Sequence, residues 1–211
     1  MARYYGDLRE YLDVLEKNGK LVTIQRPINK DTEMHPLVRL QFRGLPEKDR
    51  KAFLFRHVTD STGKRYDIPV VVGCMAASRE IYAYGMNCAI DDVPARWHQA
   101  LVHPIPPVLV DTGPVQEVIL KGSELESAGG ISFIPVPIST PGFDNAPYLT
   151  AAHWITRIPP RAFATWATTG GWSKPPCVLD AFPVPILREW QFTGNNAKKW
   201  VGPSKRQLPW V

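Results

Sequence analysis

The side chains able to do chemistry in this 211-residue chain are scattered rather than gathered. Cys74, Cys88 and Cys177 are odd in number and include no CxxC pair, so neither a disulfide framework nor a zinc site is expected. His153 stands beside Trp154 in an apolar stretch with no second ligand near in sequence. It reads as a core or surface histidine rather than a metal ligand. His98 and His103 flank a helix end and a Pro-rich turn, where an imidazole suits the negative end of the helix dipole. Asp91-Asp92 resemble paired carboxylates, but their place before a helical stretch makes them an N-cap. Asp144-Asn145 sit in a turn, where both residue types fit for backbone reasons. Thr168-Thr169-Gly170-Gly171 is no phosphate loop, because it lacks the Gly-Lys-Ser/Thr ending and a strand–turn–helix context. No catalytic residue and no metal ligand is assigned from these patterns.

The elements that would position such residues change in character along the chain. Asp7-Leu8-Arg9-Glu10 has the form of a capping box, and Leu8, Leu12 and Leu15 follow at helical spacing until Asn18-Gly19. Lys20–Gln25 alternates as a strand. Asp31-Thr32 opens a helix near Glu33–Phe42, with Pro36 tolerated in its first turn. Ala52–Phe55 and Ile68–Val72 read as short strands, and Ser78–Tyr84 and Asp92–Leu101 as helices. This alternation predicts an α/β domain over 1–107, ending in the Pro-rich connector HPIPPVLV. Val115–Leu120, Ile131–Ile134 and Tyr148–Ile155 then read as strands between Gly and Pro turns, the beginning of a barrel or sandwich over 108–158.

Charge and composition step at about residue 160. The net charge of +5 comes from residues 161–211, which hold seven Lys/Arg against two acids, while the part before them is balanced. Five of the seven tryptophans also fall there. Basic residues interleaved with tryptophan could bind single-stranded nucleic acid, but Lys198-Lys199 and Lys205-Arg206 form no recognised module, so no nucleic-acid role is expected. No run of 18 apolar residues and no signal pattern is present, so the chain is read as cytoplasmic and not membrane-spanning.

Three stretches in order, DLREYLDVLEKNGKLVTIQRPI, DIPVVVGCMAASREIYAYGM, and GPVQEVILKGSELE with IPVPISTPGFDNAPYLTAAHWIT, resemble the N-terminal part of UbiD-type decarboxylases. These use prenylated flavin mononucleotide (prenylated FMN) with a divalent metal such as Mn2+. The resemblance covers residues 4–158 and implies an α+β protein. An N-terminal α/β domain is followed by the first strands of a flavin-reductase-like split β-barrel, which the chain leaves incomplete, and then by an irregular tail over 159–211. The family pattern Tyr-Ile/Leu-Thr-Ala falls on Tyr148, Leu149 and Thr150, which are thereby implied to face the flavin, Thr150 foremost. The family's cofactor and metal residues (Asn, His and Glu), and its catalytic Arg and Glu residues, lie beyond that strand. The motif Asn-x-Gly-x-Tyr-Arg is missing after Thr156, where the chain reads RIPPRAFATWATTGGWSKPP.

Shifting the reading frame of the tail by one base recovers that motif. Thr165-Trp166-Ala167 then permits Met-Gly, with the glycine forced, and Ala164–Pro176 permits Asn-Met-Gly-x-Tyr-Arg-Gly-Met-Val-Lys-Ala-Pro. Glu189–Gly194 permits a sequence with His where the family has its ligand. The excess tryptophan follows too, because a Met codon followed by G reads as TGG when shifted. The tail is therefore read as a frameshift product. The resemblance implies a carboxy-lyase acting reversibly and without net oxidation on an aromatic or α,β-unsaturated carboxylic acid, homo-oligomeric when intact. This truncated chain is expected to be inactive alone and to bind neither the cofactor nor its metal. The alternative is a non-catalytic subunit or partner-docking fragment.

Overall fold

The computed structural model describes residues 4–105, 108, 110–144 and 146–151, and the backbone of four later strands. Two compact units form, one built mainly on residues up to Tyr148 and another beginning at Leu149.

Helix α1 (Leu8–Lys17) starts where its cap predicts. Asp7 Oδ1 accepts the Glu10 amide at 2.9 Å, and the Glu10 carboxylate turns back to accept the Gly6 amide at 2.7 Å. Two amides that lack helical partners are thus satisfied. Asn18 caps the other end, and Gly19 follows at φ +66°, a left-handed position that glycine occupies without strain.

Strands β1 (Leu21–Ile24) and β2 (Ile28–Asn29) come next, then helix α2 (Met34–Gly44). The helix begins later than the Asp31-Thr32 start expected from sequence. Asn29 Oδ1 accepts the amides of Asp31 (2.8 Å) and Thr32 (3.2 Å), and Glu33 Oε2 accepts the Asn29 amide (2.8 Å). These side chains hold 29–33 as a turn, the usual way Asn competes with a helix for backbone groups.

Strand β3 (Ala52–Phe55) is the centre of the main sheet. It pairs in parallel with β1, Leu21 opposite Ala52. It pairs antiparallel with β6 (Val70–Val72), Phe53 opposite Val72. A smaller sheet joins β2, β4 (Val58–Thr59) and β5 (Arg65–Tyr66) in the order β2-β4-β5. The period-two geometry of a strand sends alternate side chains to opposite faces. Ala52 accordingly joins Tyr11, Leu15, Cys74, Ala77 and Ile81 under α1 and helix α3 (Arg79–Met86). Phe55 joins Ile28, Met34, Val38, Val58 and Tyr66 under α2. Tyr11 is buried, and its hydroxyl lies 2.6 Å from the Cys74 carbonyl and 2.9 Å from that of Ile81. Desolvation there raises its pKa strongly, so it serves as a neutral donor.

Helix α3 is capped by Ser78 Oγ, which accepts the Ile81 amide at 3.2 Å, and it ends on Asn87 at φ +50°. Asp92 is the N-cap residue of helix α4 (Val93–Val102), but its side chain bonds no helical amide, and Asp91-Asp92 form a 3-10 turn with Ile90 instead. Pro94 near the start of α4 lacks the amide a cap would serve.

The barrel strands expected at 115–134 are not found. Pro114–Gln116 is a 3-10 turn, Ser123–Ser127 is a short helix (α5), and Gly130–Phe133 is another 3-10 turn. Val115, Val118 and Ile119 alternate in sequence but stand 92%, 73% and 52% exposed. A strand needs a partner for its ladder, and none lies beside them among the described residues. Gly129 (φ +90°) and Gly130 (φ +61°) tighten the chain into the second turn. The strand expected over Tyr148–Ile155 divides into β7 (Tyr148–Leu149) and β8 (His153–Arg157).

The tail is also more regular than expected over part of its length. Strand β9 (Ala164–Thr168) pairs antiparallel with β8, His153 opposite Thr168 and Arg157 opposite Ala164. Strands β10 (Gly171–Lys174) and β11 (Val178–Ala181) follow. Thr165, Trp166 and Thr168 favour a pleated backbone, and an adjacent partner strand completes the ladder. Asn145, Cys177, the side chain of His153 and everything after Ala181 lie outside the described residues.

One buried amide ties α2 to the start of β3. Gln41 of α2, 6% exposed, donates through Nε2 to the Lys51 carbonyl (2.9 Å) and accepts the Lys51 amide through Oε1 (2.8 Å). Replacing it with leucine leaves both Lys51 groups without that partner at the entry to β3. Gln41→Leu is expected to cost about 2 kcal/mol. In urea unfolding this reads as a lower midpoint at unchanged slope; an unchanged midpoint would show that Lys51 finds other partners.

Candidate functional site

The segment leading to the sequence-assigned residues is docked by cations of the N-terminal domain. Lys64 Nζ donates to the Ser132 carbonyl at 2.8 Å. Val136 is 4% exposed, although the residues from Leu101 to Ile119 leave most of their large apolar side chains in solvent. Arg39 of α2 then donates through Nη2 to the Ser139 carbonyl (2.8 Å) and to Thr140 Oγ1 (3.2 Å). Hydrogen bonds from an ionised donor are about twice as strong as neutral ones.

The loop is also closed on itself. Thr140 donates its amide to Asp144 Oδ2 at 2.7 Å, and its carbonyl accepts the amides of Phe143 (3.1 Å) and Asp144 (3.0 Å). Asp144 thus does the turn-forming work expected of it. The Tyr148 amide donates to the Pro137 carbonyl at 3.0 Å, which fixes where β7 begins. Ser139 Oγ is buried without a hydrogen-bond partner.

His35, one turn before Arg39, completes the charged surroundings. Burial and the Arg39 guanidinium push its pKa below the ordinary value, and Asp144 pulls it part of the way back. It is therefore neutral at pH 7.

Of the three sequence-assigned residues, Tyr148 and Leu149 are half-buried and Thr150 is exposed. Sequence reasoning did not single out Arg39, His35 or Ser139. Arg39 and Ser139 lie 100 positions apart, and no local pattern joins them. Among the described residues no group of three His, Cys, Asp or Glu could hold a metal ion. The described residues offer the Thr150 hydroxyl and half-buried Tyr148 and Leu149, which do not make a flavin-phosphate or metal site, and no chemical step is derived through such a group. No helix of the described residues is long and apolar enough to cross a membrane.

A three-stranded sheet with α1 and α3 on one face and α2 on the other defines a mixed α/β domain. Residues 12–101 match the model of the 3-octaprenyl-4-hydroxybenzoate carboxy-lyase N-terminal domain. The chain is similar in structure to the UbiD-class enzyme HmfF from Pelotomaculum thermopropionicum in complex with prFMN, in an evolved dimeric form. The two share 28% identity with a TM-score of 0.70, over 86% of this chain and 39% of that one. Vanillic acid decarboxylase from Sedimentibacter hydroxybenzoicus in open form (19% identity, TM-score 0.67, 90% and 39% covered) shares the fold. So does 3,4-dihydroxybenzoic acid decarboxylase from Enterobacter cloacae (20%, 0.64, 89% and 40%). The match to a UbiD-type N-terminal domain thus lies in residues 12–101, and the chain spans about two fifths of the length of these relatives.

The placement of His35 makes folding stability pH-dependent. Its folded-state pKa lies below its unfolded one, so the unfolded chain binds more protons, and stability is lost as pH falls below about 6.5. The charged groups acting on it are Arg39 from its own helix and Asp144 from the docked loop. Unfolding free energy measured between about pH 7.5 and 5.5 is expected to fall more steeply for the wild type than for His35→Leu. Equal slopes would show that His35 does not contribute.

Proposed function

We propose that this chain belongs to a lineage of prenylated-FMN-dependent carboxy-lyases that decarboxylate an aromatic or α,β-unsaturated carboxylic acid reversibly and without net oxidation. The supporting observation is the UbiD-type N-terminal domain over 12–101, together with 28% identity to a prFMN-bound UbiD-class enzyme across 86% of the chain. On this reading residues 1–107 are the α/β domain and 108–158 open the flavin-binding split β-barrel. Thr150, with Tyr148 and Leu149, forms the flavin-facing strand. The cofactor would supply the electron sink for carbon dioxide release, and protein groups would orient the substrate.

Residues 159–211 are a frameshifted tail on the same reading. As written, it does not provide the family's Asn, Arg, His and Glu side chains. The polypeptide therefore binds neither prenylated FMN nor its divalent metal and is inactive alone. The intact protein would be a cytoplasmic homo-oligomer with a small carboxylic acid as substrate and no role with nucleic acid or membrane. The β-strands at 164–181 are compatible with this, since Thr- and Trp-rich stretches pair readily whatever their coding origin.

A second reading, a non-catalytic subunit, draws on the exposed apolar residues Leu101, Ile105, Val108, Val110 and Val115, each at least 74% exposed. The occupant it requires is a full-length UbiD-class chain, and a defined complex between the two would favour it.

Resequencing the coding DNA from about codon 155 past the stop tests the first reading. An open shifted frame carrying Asn-x-Gly-x-Tyr-Arg is the expected result, and restoring the base should bring in flavin absorbance. A confirmed written frame with no family sequence downstream sinks the frameshift. Flavin absorbance and decarboxylation from the polypeptide as written would refute its inactivity.

A further inference from the structure

We propose that Arg39 is a positioning residue: from helix α2 it sets the conformation of loop 137–144 and so the place where strand β7 begins. The links are continuous. The guanidinium holds Ser139 by its carbonyl and Thr140 by its hydroxyl. Thr140, Phe143 and Asp144 close the loop through three hydrogen bonds, and the Pro137 carbonyl accepts the Tyr148 amide. Residues 139 and 140 have no regular secondary structure to restrain them, so the guanidinium replaces a ladder as the source of order. Val136 pins the start of the loop by burial, and the Lys64–Ser132 bond pins the segment before it. Arg39 acts on the side nearest β7.

A lysine could keep a charged donor here but not the planar fork, so it should recover part of the effect. The functional meaning rests on the reading of Tyr148–Thr150 as the cofactor strand. The structural coupling does not, and the two can fail separately.

Hydrogen exchange at single amides tests it. Arg39→Met, which keeps an unbranched stem and removes the donors, is expected to speed exchange of the Phe143, Asp144 and Tyr148 amides roughly tenfold or more while strand β3 stays protected. Arg39→Lys should recover part of that protection. Thr140→Val leaves α2 untouched and removes one acceptor, so it should speed the same amides by a smaller factor even if Arg39→Met folds poorly. Arg9→Ala, at an exposed pair on α1, should change none of them. Unchanged exchange in both Arg39→Met and Thr140→Val overturns the proposal, as does an acceleration shared equally by β3. No flavin enters the measurement, so a failed cofactor reading leaves its result standing.

Discussion

The first unit depends on the burial of strand β3 on both faces. Its backbone is hydrogen-bonded on both sides, to β1 and to β6, so it has no open edge. Ala52 and Phe55, both 0% exposed, feed two separate cores. Burying a side chain the size of Phe contributes about 1.5–3 kcal/mol. Neither helix layer could form its core without this strand, because α1 brings Tyr11 and Leu15, α3 brings Ile81 and the turn before α3 brings Cys74 and Ala77 against Ala52, while α2 brings Met34 and Val38 against Phe55. The Gln41–Lys51 pair lies at the entry to the same strand, so helix α2 is fixed in register with it as well as packed on it.

A different kind of force holds the chain beyond α4. Between Leu101 and Ile119 the large apolar side chains of the described residues are exposed, so hydrophobic packing does not fix their course. Order returns at Gly130–Asp144 through the buried apolar pair Pro135-Val136 and two cations that grip backbone carbonyls, Lys64 on Ser132 and Arg39 on Ser139. Such bonds are directional where apolar contact is not. A loop held this way has a defined path with almost no core of its own.

The same contrast separates the legible parts of the sequence from the rest. The Asp7 cap, the Asn18-Gly19 stop and the Ser78 start rest on contacts within four residues, and strand β3 rests on a short apolar run; each is readable locally. The expected strands at 115–120 and 131–134 fail because alternation states only that a segment could be a strand, while pairing depends on a neighbour elsewhere in the chain. The opposite error occurs at 164–168, where the absence of a sustained period conceals a segment whose partner, β8, lies close by. Tyr148, Leu149 and Thr150 are marked out by family resemblance and not by spacing. Arg39 and His35 carry no signal at all, since what gives them meaning is a loop a hundred residues away.

These distances bear on how folding and chemistry divide in such a protein. A fold does not itself confer an activity, which resides in the groups set upon it. The Asp7 cap, the two cores beside β3 and the Arg39 grip all lie among residues 5–148. On the proposed reading the reactive groups come only after that point. A lesion near residue 160 would then remove the chemistry and leave the scaffold's own bonds intact. On the proposed reading, the loop held by Arg39 fixes where the cofactor strand begins, and a site needs such placement if its groups are to be held within a fraction of an ångström.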